Sequence, residues 1–319
     1  MESTPQNESD QMEFDRTIRL NFLITIFLQF IISLVGLAGN AVVLWLLGFC
    51  MKRNSFSVYI LNLAGADFVY LFIQILNSVN FKIDLIFDPK FFYVSAFPYV
   101  ASLSILTAIS SERCLSVLQP MWYRFHRPKH MSSVVCALIW ALSLLLCILR
   151  LEFSGVLFGG SNKYLCKLVD FSIATWLIFS FVLLFGSNLV LLARILCGSR
   201  KLKLTGLYVI IGLTVLVFLI CGLPPVIYWF LLYWIPNMYK INGSTPYIVT
   251  VILLASCVNS CANPTIYFFV GIYRQQQRQQ RRSLKLILQR ALQDDSEEDR
   301  SQGSPPQETL EMLGNGHGS

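Results

Sequence analysis

The sequence predicts an all-α integral membrane protein, a seven-transmembrane helix bundle followed by a short amphipathic eighth helix. Of its 319 residues 55% are hydrophobic and only 13% are charged, and the mean hydropathy is +0.59, which is far from the balance of soluble domains. The chain also holds seven apolar stretches of roughly the 20 residues that cross a bilayer core. They lie at residues 20 to 47, 56 to 80, 91 to 117, 132 to 151, 171 to 198, 204 to 235 and 245 to 270.

These spans divide the chain into four parts. Residues 1-19 are polar and are expected to form an extracellular N-terminus, and residues 20-270 form the bundle. The first apolar run is too long for the core of a signal peptide, so we expect it to remain as an anchor. Residues 271-292 interleave Arg and Gln with leucines, which predicts an amphipathic helix on the inner leaflet; a disordered basic tail is the alternative. Residues 293-319 are acidic and polar and are expected to be a disordered cytoplasmic tail.

The distribution of basic residues predicts the orientation of the bundle. Lys and Arg in short loops mark the cytoplasmic side of a membrane protein. With the N-terminus outside, 17 of the 25 basic residues fall on inner segments and in the tail. Two glycosylation triplets, at Asn7 and Asn242, both fall on the side that is then outer. The sequence therefore predicts a plasma-membrane protein with an extracellular N-terminus and a cytoplasmic C-terminus.

Cysteine and histidine usage predicts neither a disulfide framework nor a metal cluster. Of nine cysteines only Cys166 lies plainly in an outer loop, so we expect a free thiol there. The three histidines, His126, His130 and His317, are all on the cytoplasmic side and are not clustered with other metal ligands. The sequence also has no phosphate-binding glycine loop and no nucleophile beside a base. We therefore expect no enzyme activity, no metal and no nucleic-acid partner.

Asp67 is the only carboxylate in the middle of a predicted span. An ionisable group at that depth costs several kcal/mol and is by default a candidate functional residue. One reading is a structural carboxylate held by hydrogen bonds in the bundle; the other is an ion-binding or protonation switch. Ser102, Asn259 and Ser260 could supply oxygen ligands if the third and seventh spans face it. Asn40 in the first span is expected to join helices.

Two patterns in the predicted spans indicate moving parts. Glu112 and Arg113 place opposite charges at the membrane boundary, either as a pair reaching the interface or as a latch that releases Arg113 toward a cytoplasmic partner. Helix-interrupting prolines give two hinges, because proline removes a backbone hydrogen bond. One hinge is Pro224 in the sixth span, and the other is Asn263, Pro264 and Tyr267 at the end of the seventh. A small polytopic transporter or channel is the alternative class, although no internal repeat or polar path is visible.

Taken in order and spacing, these motifs resemble the rhodopsin-like G-protein-coupled receptors over roughly residues 20 to 292. The motifs are Asn40, Leu63 to Asp67, Glu112 to Cys114, Trp140, Pro224 and Asn263 to Tyr267. The resemblance implies that Arg113 engages a heterotrimeric G protein and that Tyr267 swings inward on activation. It also implies that Asp67 with Ser102, Asn259 and Ser260 can hold an allosteric sodium ion, the one cofactor expected.

Further stretches are similar to the Mas-related receptors. They are Asn40 to Gly48, Glu112 to Val117, Trp122 to Arg124, Leu196 to Arg200 and Cys221 to Pro224. Gly222 stands where most rhodopsin-like receptors have a Trp, a substitution which this group shares. The resemblance implies a receptor on sensory neurons or mast-type cells, with a role in itch or pain. It implies small peptide agonists, often cationic, or other small molecules, and coupling mainly to the Gq class and in some cases to Gi. Arrestin and membrane lipids are further expected partners.

The chain departs from the Mas-related pattern where relatives bind their ligands. Ser154 stands in place of the cysteine that pairs with Cys166 in relatives, so that bridge is missing. Of the two acids that bind cationic ligands in relatives, Asp170 matches one, whereas Arg150 stands at the other and Glu152 points to another side. For Asp170, an exposed charge at a helix start is the alternative. The candidate ligand-binding residues are Asp170, Glu152, Tyr99, Trp176, Tyr228 and Trp229, and the aromatic ones could instead face lipid.

Overall fold

The computed structural model describes residues 5-50, 55-84, 89-128, 130-156, 162-197, 217-234 and 248-264. The chain divides into two compact units, Met1–Val270 and Gly271–Ser319, and all the described residues belong to the first. The predicted amphipathic helix at 271-292, the tail at 293-319, Asn242 and Tyr267 lie outside the described residues.

The described part of the chain is helical. The helices are α1 (Pro5–Trp45), α2 (Ser55–Asp84), α3 (Pro89–Leu118), the short α4 (Pro120–Phe125), α5 (Met131–Phe153), α6 (Lys163–Cys197), α7 (Leu223–Trp234) and α8 (Ile248–Pro264). Two π-helical segments, Leu46–Cys50 and Phe218–Gly222, follow α1 and precede α7. Among the described residues, five helical segments are long and apolar enough to cross a membrane, and they coincide with the first five predicted spans. Parts of the sixth and seventh predicted spans form α7 and α8.

Two helices begin well before the spans that hydropathy predicted. The first starts at Pro5 rather than at residue 20, with a proline in the first turn, where its missing N–H costs nothing. The fifth-span helix, α6, starts at Lys163 rather than at residue 171, because the Asn162 side chain accepts hydrogen bonds from the backbone N–H groups of Tyr164 and Leu165, each at 3.2 Å. Hydropathy marks the apolar part of a helix and not its capped polar start.

The third helix is the centre of the bundle. In its most apolar window 72% of the residues are buried, against 22% for α1 and for α5. It packs against α2, α5 and α6, and α1 packs on the outside of α2. This burial explains why the third span has a diluted apolar run: its serines face other helices, where side-chain and backbone partners replace water. Hydropathy was therefore weakest where protein contacts are greatest.

Gly36 allows α1 to approach its neighbours closely. A Cβ atom at this position would lie 2.8 Å from Leu71 Cδ1 in α2 and 3.1 Å from Cys261 Cβ in α8. One turn further on, a Cβ atom at Gly39 would lie 3.3 Å from Pro264. Small residues at helix contacts are the usual means of close packing in membranes. They bring α8, and with it the polar residues near Pro264, into the middle of the bundle.

The predicted hinge in the sixth span coincides with a change of helix type. The chain is π-helical from Phe218 to Gly222 and becomes α-helical at Leu223, immediately before Pro224 and Pro225. Prolines and π-helical turns both interrupt the regular hydrogen-bond ladder of a helix. The structure therefore confirms an irregular point at Pro224.

Candidate functional site

Asp67 lies in a polar cluster at the core of the bundle. Its side chain is fully buried. Ser102 donates a hydrogen bond to Oδ1 at 2.7 Å, and the Asn263 amide donates one to Oδ2, also at 2.7 Å. Ser260 in α8 is buried close to the same carboxylate, and its neighbour Asn259 is buried as well. The structure thus brings the second, third and seventh spans together at Asp67, as the sequence predicted for Ser102 and Ser260.

Asn263 has a contact that sequence reasoning did not assign. The sequence placed it with Pro264 in a hinge, whereas its amide binds the Asp67 carboxylate. The hinge is therefore attached directly to the buried charge. Asn40 also reaches α8: its amide donates to the Ser260 carbonyl at 3.3 Å and to the Gly36 carbonyl at 2.9 Å. This contact confirms Asn40 as a residue that joins helices.

A second cluster closes one end of the bundle, which we call the Arg113 end. There Glu112 forms an ion pair with Arg127, whose guanidinium also donates to Ser55 at 2.8 Å and to Ser132 at 2.6 Å. These contacts tie together the ends of α2, α3 and α5. Tyr123 in α4 approaches the same carboxylate at 3.5 Å, and burial together with Glu112 raises the pKa of its phenol.

The observed ion pair at this end differs from the latch that the sequence suggested. The sequence placed Glu112 as the holder of Arg113, but the partner that the structure shows for Glu112 is Arg127. The Arg113 guanidinium lies 4.4 Å from the centre of the Phe56 ring, a cation–π contact with α2. The sequence did not predict this contact of Arg127. Arg127 reaches α3 only because the chain turns back through α4, and residue spacing does not show that turn. Arg113 and Glu112 therefore have separate contacts available at this end.

A third cluster lies at the opposite end, the Asp170 end, where α5 and α6 meet. Arg150 Nε donates to Asp170 Oδ1 at 2.5 Å, and the Asp170 side chain is only 1% exposed. The alternative of an exposed charge at a helix start is therefore wrong, since α6 begins at Lys163 and Asp170 faces inward. Glu152 is half-buried, and its Oε2 is a buried atom that has no hydrogen-bond partner. Cys166 carries a free thiol, as predicted.

Tyr99 and Trp176, two of the predicted aromatic residues, make their side-chain hydrogen bonds at different helix contacts. Tyr99 in α3 is buried and donates from its hydroxyl to the Gly222 carbonyl at 3.0 Å, so it touches the irregular point before Pro224. Trp176 donates from its indole N–H to Ser104 at 2.8 Å, at the contact of α6 with α3. Tyr228 in α7 is half-buried, and the side chain of Trp229 lies outside the described residues.

The cavity beside Tyr99 is small. It has a volume of about 20 Å³ and is lined by Tyr70, Ser95, Tyr99, Pro225 and Ser256, among others. Such a volume holds about one water molecule and not an agonist. The hydrogen bond of Tyr99 to Gly222 nevertheless links this cavity to the sixth span.

Comparison with known proteins identifies the family of the chain. A family model described as 7 transmembrane receptor (rhodopsin family) matches residues 39–267. Mas-related G-protein coupled receptor member X2 of Macaca mulatta is 52% identical over 316 residues, covering 98% of this chain and 95% of that protein. The protein of the same name from Pongo pygmaeus is 53% identical over 317 residues, covering 98% and 95%. The one from Homo sapiens is 54% identical over 296 residues, covering 91% and 89%.

Proposed function

Because the chain belongs to the Mas-related family of rhodopsin-like G-protein-coupled receptors, we propose that an agonist binding at the Asp170 end activates a G protein at the Arg113 end. Membership of the family makes the chain a multi-pass receptor and not an enzyme, a transporter or a channel. The observation that carries the proposal is the pair of charged clusters at opposite ends of one bundle, with the buried Asp67 cluster between them.

We propose that the receptor lies in the plasma membrane with the Asp170 end outside. The support is the excess of Lys and Arg on the segments of the Arg113 end and in the tail. Glycans at Asn7 and Asn242 belong to the same proposal, since both asparagines lie on the outer side in this orientation.

The agonist is proposed to be a small peptide or a small molecule. Its site includes the outer parts of α5, α6 and α7, with Asp170, Glu152, Trp176, Tyr228 and Trp229 as candidate contacts, and with Tyr99 beneath them. The orphaned Oε2 of Glu152 supports this placement, because a buried carboxylate oxygen without a partner is unfavourable until a donor reaches it. Asp170 is already engaged by Arg150, so an agonist would have to compete for it.

Inside the cell, we propose coupling to the Gq class, with Gi as the second candidate, and a role in itch or pain on sensory neurons or in mast-type cells. The support is the family resemblance alone. Arg113 is proposed to contact the G protein and Tyr267 to swing inward, and arrestin is a further candidate partner at the same end.

The experiment that tests the ligand and the Gq assignment is a screen of basic peptides, neutral peptides and purine-like small molecules with a calcium readout. We expect at least one hit whose signal is lost under Gq inhibition; hits whose signals respond only to Gi inhibition would overturn the Gq assignment.

The oxygen atoms of the Asp67 cluster are of the kind that bind a sodium ion. The carboxylate of Asp67 and the hydroxyls of Ser102 and Ser260 are oxygen ligands of the kind that hard cations prefer, and Asn259 is buried beside them. We propose that these four residues hold sodium. Such an ion supplies positive charge that offsets the buried carboxylate. Ser102 and Ser260 then fix α3 and α8 on Asp67 and favour the closed arrangement of the bundle.

Removing sodium is therefore expected to raise ligand-free nucleotide exchange by the G protein, by roughly fivefold, the low end of allosteric couplings. The measurement replaces sodium chloride with choline chloride at constant ionic strength in membranes that contain the receptor. Asp67→Asn should remove this difference, because the amide keeps the shape of the side chain and lacks its charge. Ser143→Ala, a buried serine in α5, is the matched control and should keep it. Equal sodium dependence in the parent and in Asp67→Asn would contradict the proposal.

A further inference from the structure

We propose that Arg150 is a specificity-determining residue: its guanidinium is a built-in cation that occupies the carboxylate of Asp170 and keeps cationic ligands away from it. The two residues lie on different helices, Arg150 near the end of α5 and Asp170 in the second turn of α6. Arg150 Nε and Asp170 Oδ1 are 2.5 Å apart. A charge-assisted contact of this length is among the stronger pairings that a carboxylate makes.

The pair is removed from solvent. The side chain of Asp170 is 1% exposed and that of Arg150 is 10% exposed. Taking two charges out of water is costly, and the cost is offset only when they remain together in good geometry. An arginine this close to a helix end could otherwise extend its long side chain toward the headgroups. Its burial against Asp170 shows that the inward position is the favoured one.

Further contacts hold the guanidinium in place. It lies 4.3 Å from the centre of the Tyr93 ring in α3, and one of its terminal nitrogens donates to Cys166 Sγ at 3.2 Å. The cavity beside it, lined by Tyr93, Cys147 and Ile173 among others, has a volume of about 10 Å³. That volume holds about one water molecule, so the space beside the guanidinium does not admit a ligand group. An external cation could reach Asp170 only by displacing Arg150 from all of these contacts.

It follows that the guanidinium of Arg150 forms the ion pair with Asp170 that a cationic ligand would otherwise form. Shortening Arg150 to alanine should leave a buried carboxylate beside a space of the size and shape of a guanidinium group. A small planar cation of that shape should bind there, because a buried charge without its counter-ion is strongly destabilising. A ligand that binds only the folded state raises the free energy of unfolding, and above its dissociation constant the increase grows with the logarithm of the ligand concentration.

The test uses the purified full-length receptor in lipid nanodiscs and methylguanidinium chloride as the probe, at low millimolar concentrations. Arg150→Ala should lower the midpoint of thermal unfolding by several degrees. Methylguanidinium should recover most of that loss, whereas sodium chloride and urea at equal concentration should not. The parent receptor and Arg194→Ala, which removes an exposed arginine of α6, should show no such response.

The double variant Arg150→Ala/Asp170→Asn decides whether the carboxylate is the binding group. It has the same space but no charge, so methylguanidinium should leave its midpoint unchanged. An equal shift in the double variant, or the absence of a shift in Arg150→Ala, would overturn the proposal.

If Arg150→Ala does not yield folded protein, surface expression gives the same decision. The double variant should then reach the surface by itself, and Arg150→Ala should reach it only with methylguanidinium in the medium. Failure of both would show that Arg150 is needed for reasons other than its charge, and would overturn the proposal equally.

The consequence for agonists rests on the proposed function, and it is measured separately. Basic peptides that leave the parent receptor silent should become agonists of Arg150→Ala, or at least tenfold more potent on it. If methylguanidinium stabilises Arg150→Ala but basic peptides do not activate this variant, the role of Arg150 as an internal cation stands and the proposed ligand site is contradicted. If methylguanidinium does not stabilise Arg150→Ala but basic peptides activate this variant as expected, the role of Arg150 as an internal cation is contradicted and the proposed ligand site stands.

Discussion

Replacing Arg113 with alanine is expected to abolish nucleotide exchange by the G protein while the receptor still reaches the cell surface. Arg113 is half-buried at the end of α3, and its guanidinium stacks on Phe56 rather than filling the core. Its removal therefore leaves the bundle intact. Truncating a charge that contacts a partner costs about 2 to 5 kcal/mol of binding, which corresponds to a loss of roughly 30-fold or more.

The measurement compares exchange at equal surface expression, determined with an N-terminal tag. Arg194→Ala is the matched control, since it removes an exposed arginine from α6 at the same end of the bundle. It should keep most of the exchange activity. Undiminished exchange by Arg113→Ala would contradict the role of Arg113 in coupling.

Breaking the pair between Glu112 and Arg127 is expected to raise ligand-free exchange. Arg127 ties Glu112 in α3 to Ser55 of α2 and to Ser132 of α5, and we expect these contacts to favour the closed arrangement of the Arg113 end. A change of about 1.4 kcal/mol in the balance between closed and open bundles alters that balance about tenfold. A partly buried, hydrogen-bonded ion pair is worth at least that much when one partner is removed. We therefore expect Arg127→Gln to increase ligand-free exchange about tenfold.

The charge-exchanged variant Glu112→Arg/Arg127→Glu separates the pair from either residue by itself. It restores an ion pair across the same gap and should bring ligand-free exchange back toward that of the parent. A single variant with normal ligand-free exchange would contradict the closing role. So would a charge-exchanged variant that is as active as Arg127→Gln at matched expression, since the pair would then be irrelevant.

The Asp67 cluster illustrates what the sequence could predict. One carboxylate in an apolar span has few ways to be satisfied, so the need for polar neighbours was evident from Asp67 itself. Ser102 and Ser260 were predicted as oxygen ligands if the third and seventh spans face Asp67, and in the structure Ser102 hydrogen-bonds the carboxylate and Ser260 is buried close to it. The contact with Asn263 was missed, because the adjacent proline had already explained that asparagine as part of a hinge.

The two ion pairs were beyond the reach of sequence reasoning for a different reason. Arg150 and Asp170 were each assessed against the positions of relatives, one as a departure and one as a match, and nothing along the chain shows that they meet. Arg127 lies in a connection whose path depends on the turn through α4. Pairing across helices depends on rotation and depth in the bundle, which the spacing of apolar residues does not determine.

Helix starts were the other part that hydropathy could not supply. The polar first turns of α6, from Lys163 onward, carry Cys166 and Asp170 as residues of the helix, whereas the sequence placed them in the preceding loop. This difference of two turns is what turns Asp170 inward. In this position Asp170, which the sequence predicted as a ligand-binding residue, is one half of a buried ion pair.

We propose that the Asp170 end of the receptor faces the outside and that the Arg113 end faces the cytosol. This orientation is tested most directly by placing different epitope tags at the two ends of the chain and staining intact and permeabilised cells. We expect the N-terminal tag to be stained in intact cells and the C-terminal tag only after permeabilisation. Staining of both tags in intact cells, or of neither, would contradict an arrangement in which an external ligand controls a cytosolic G protein through this bundle.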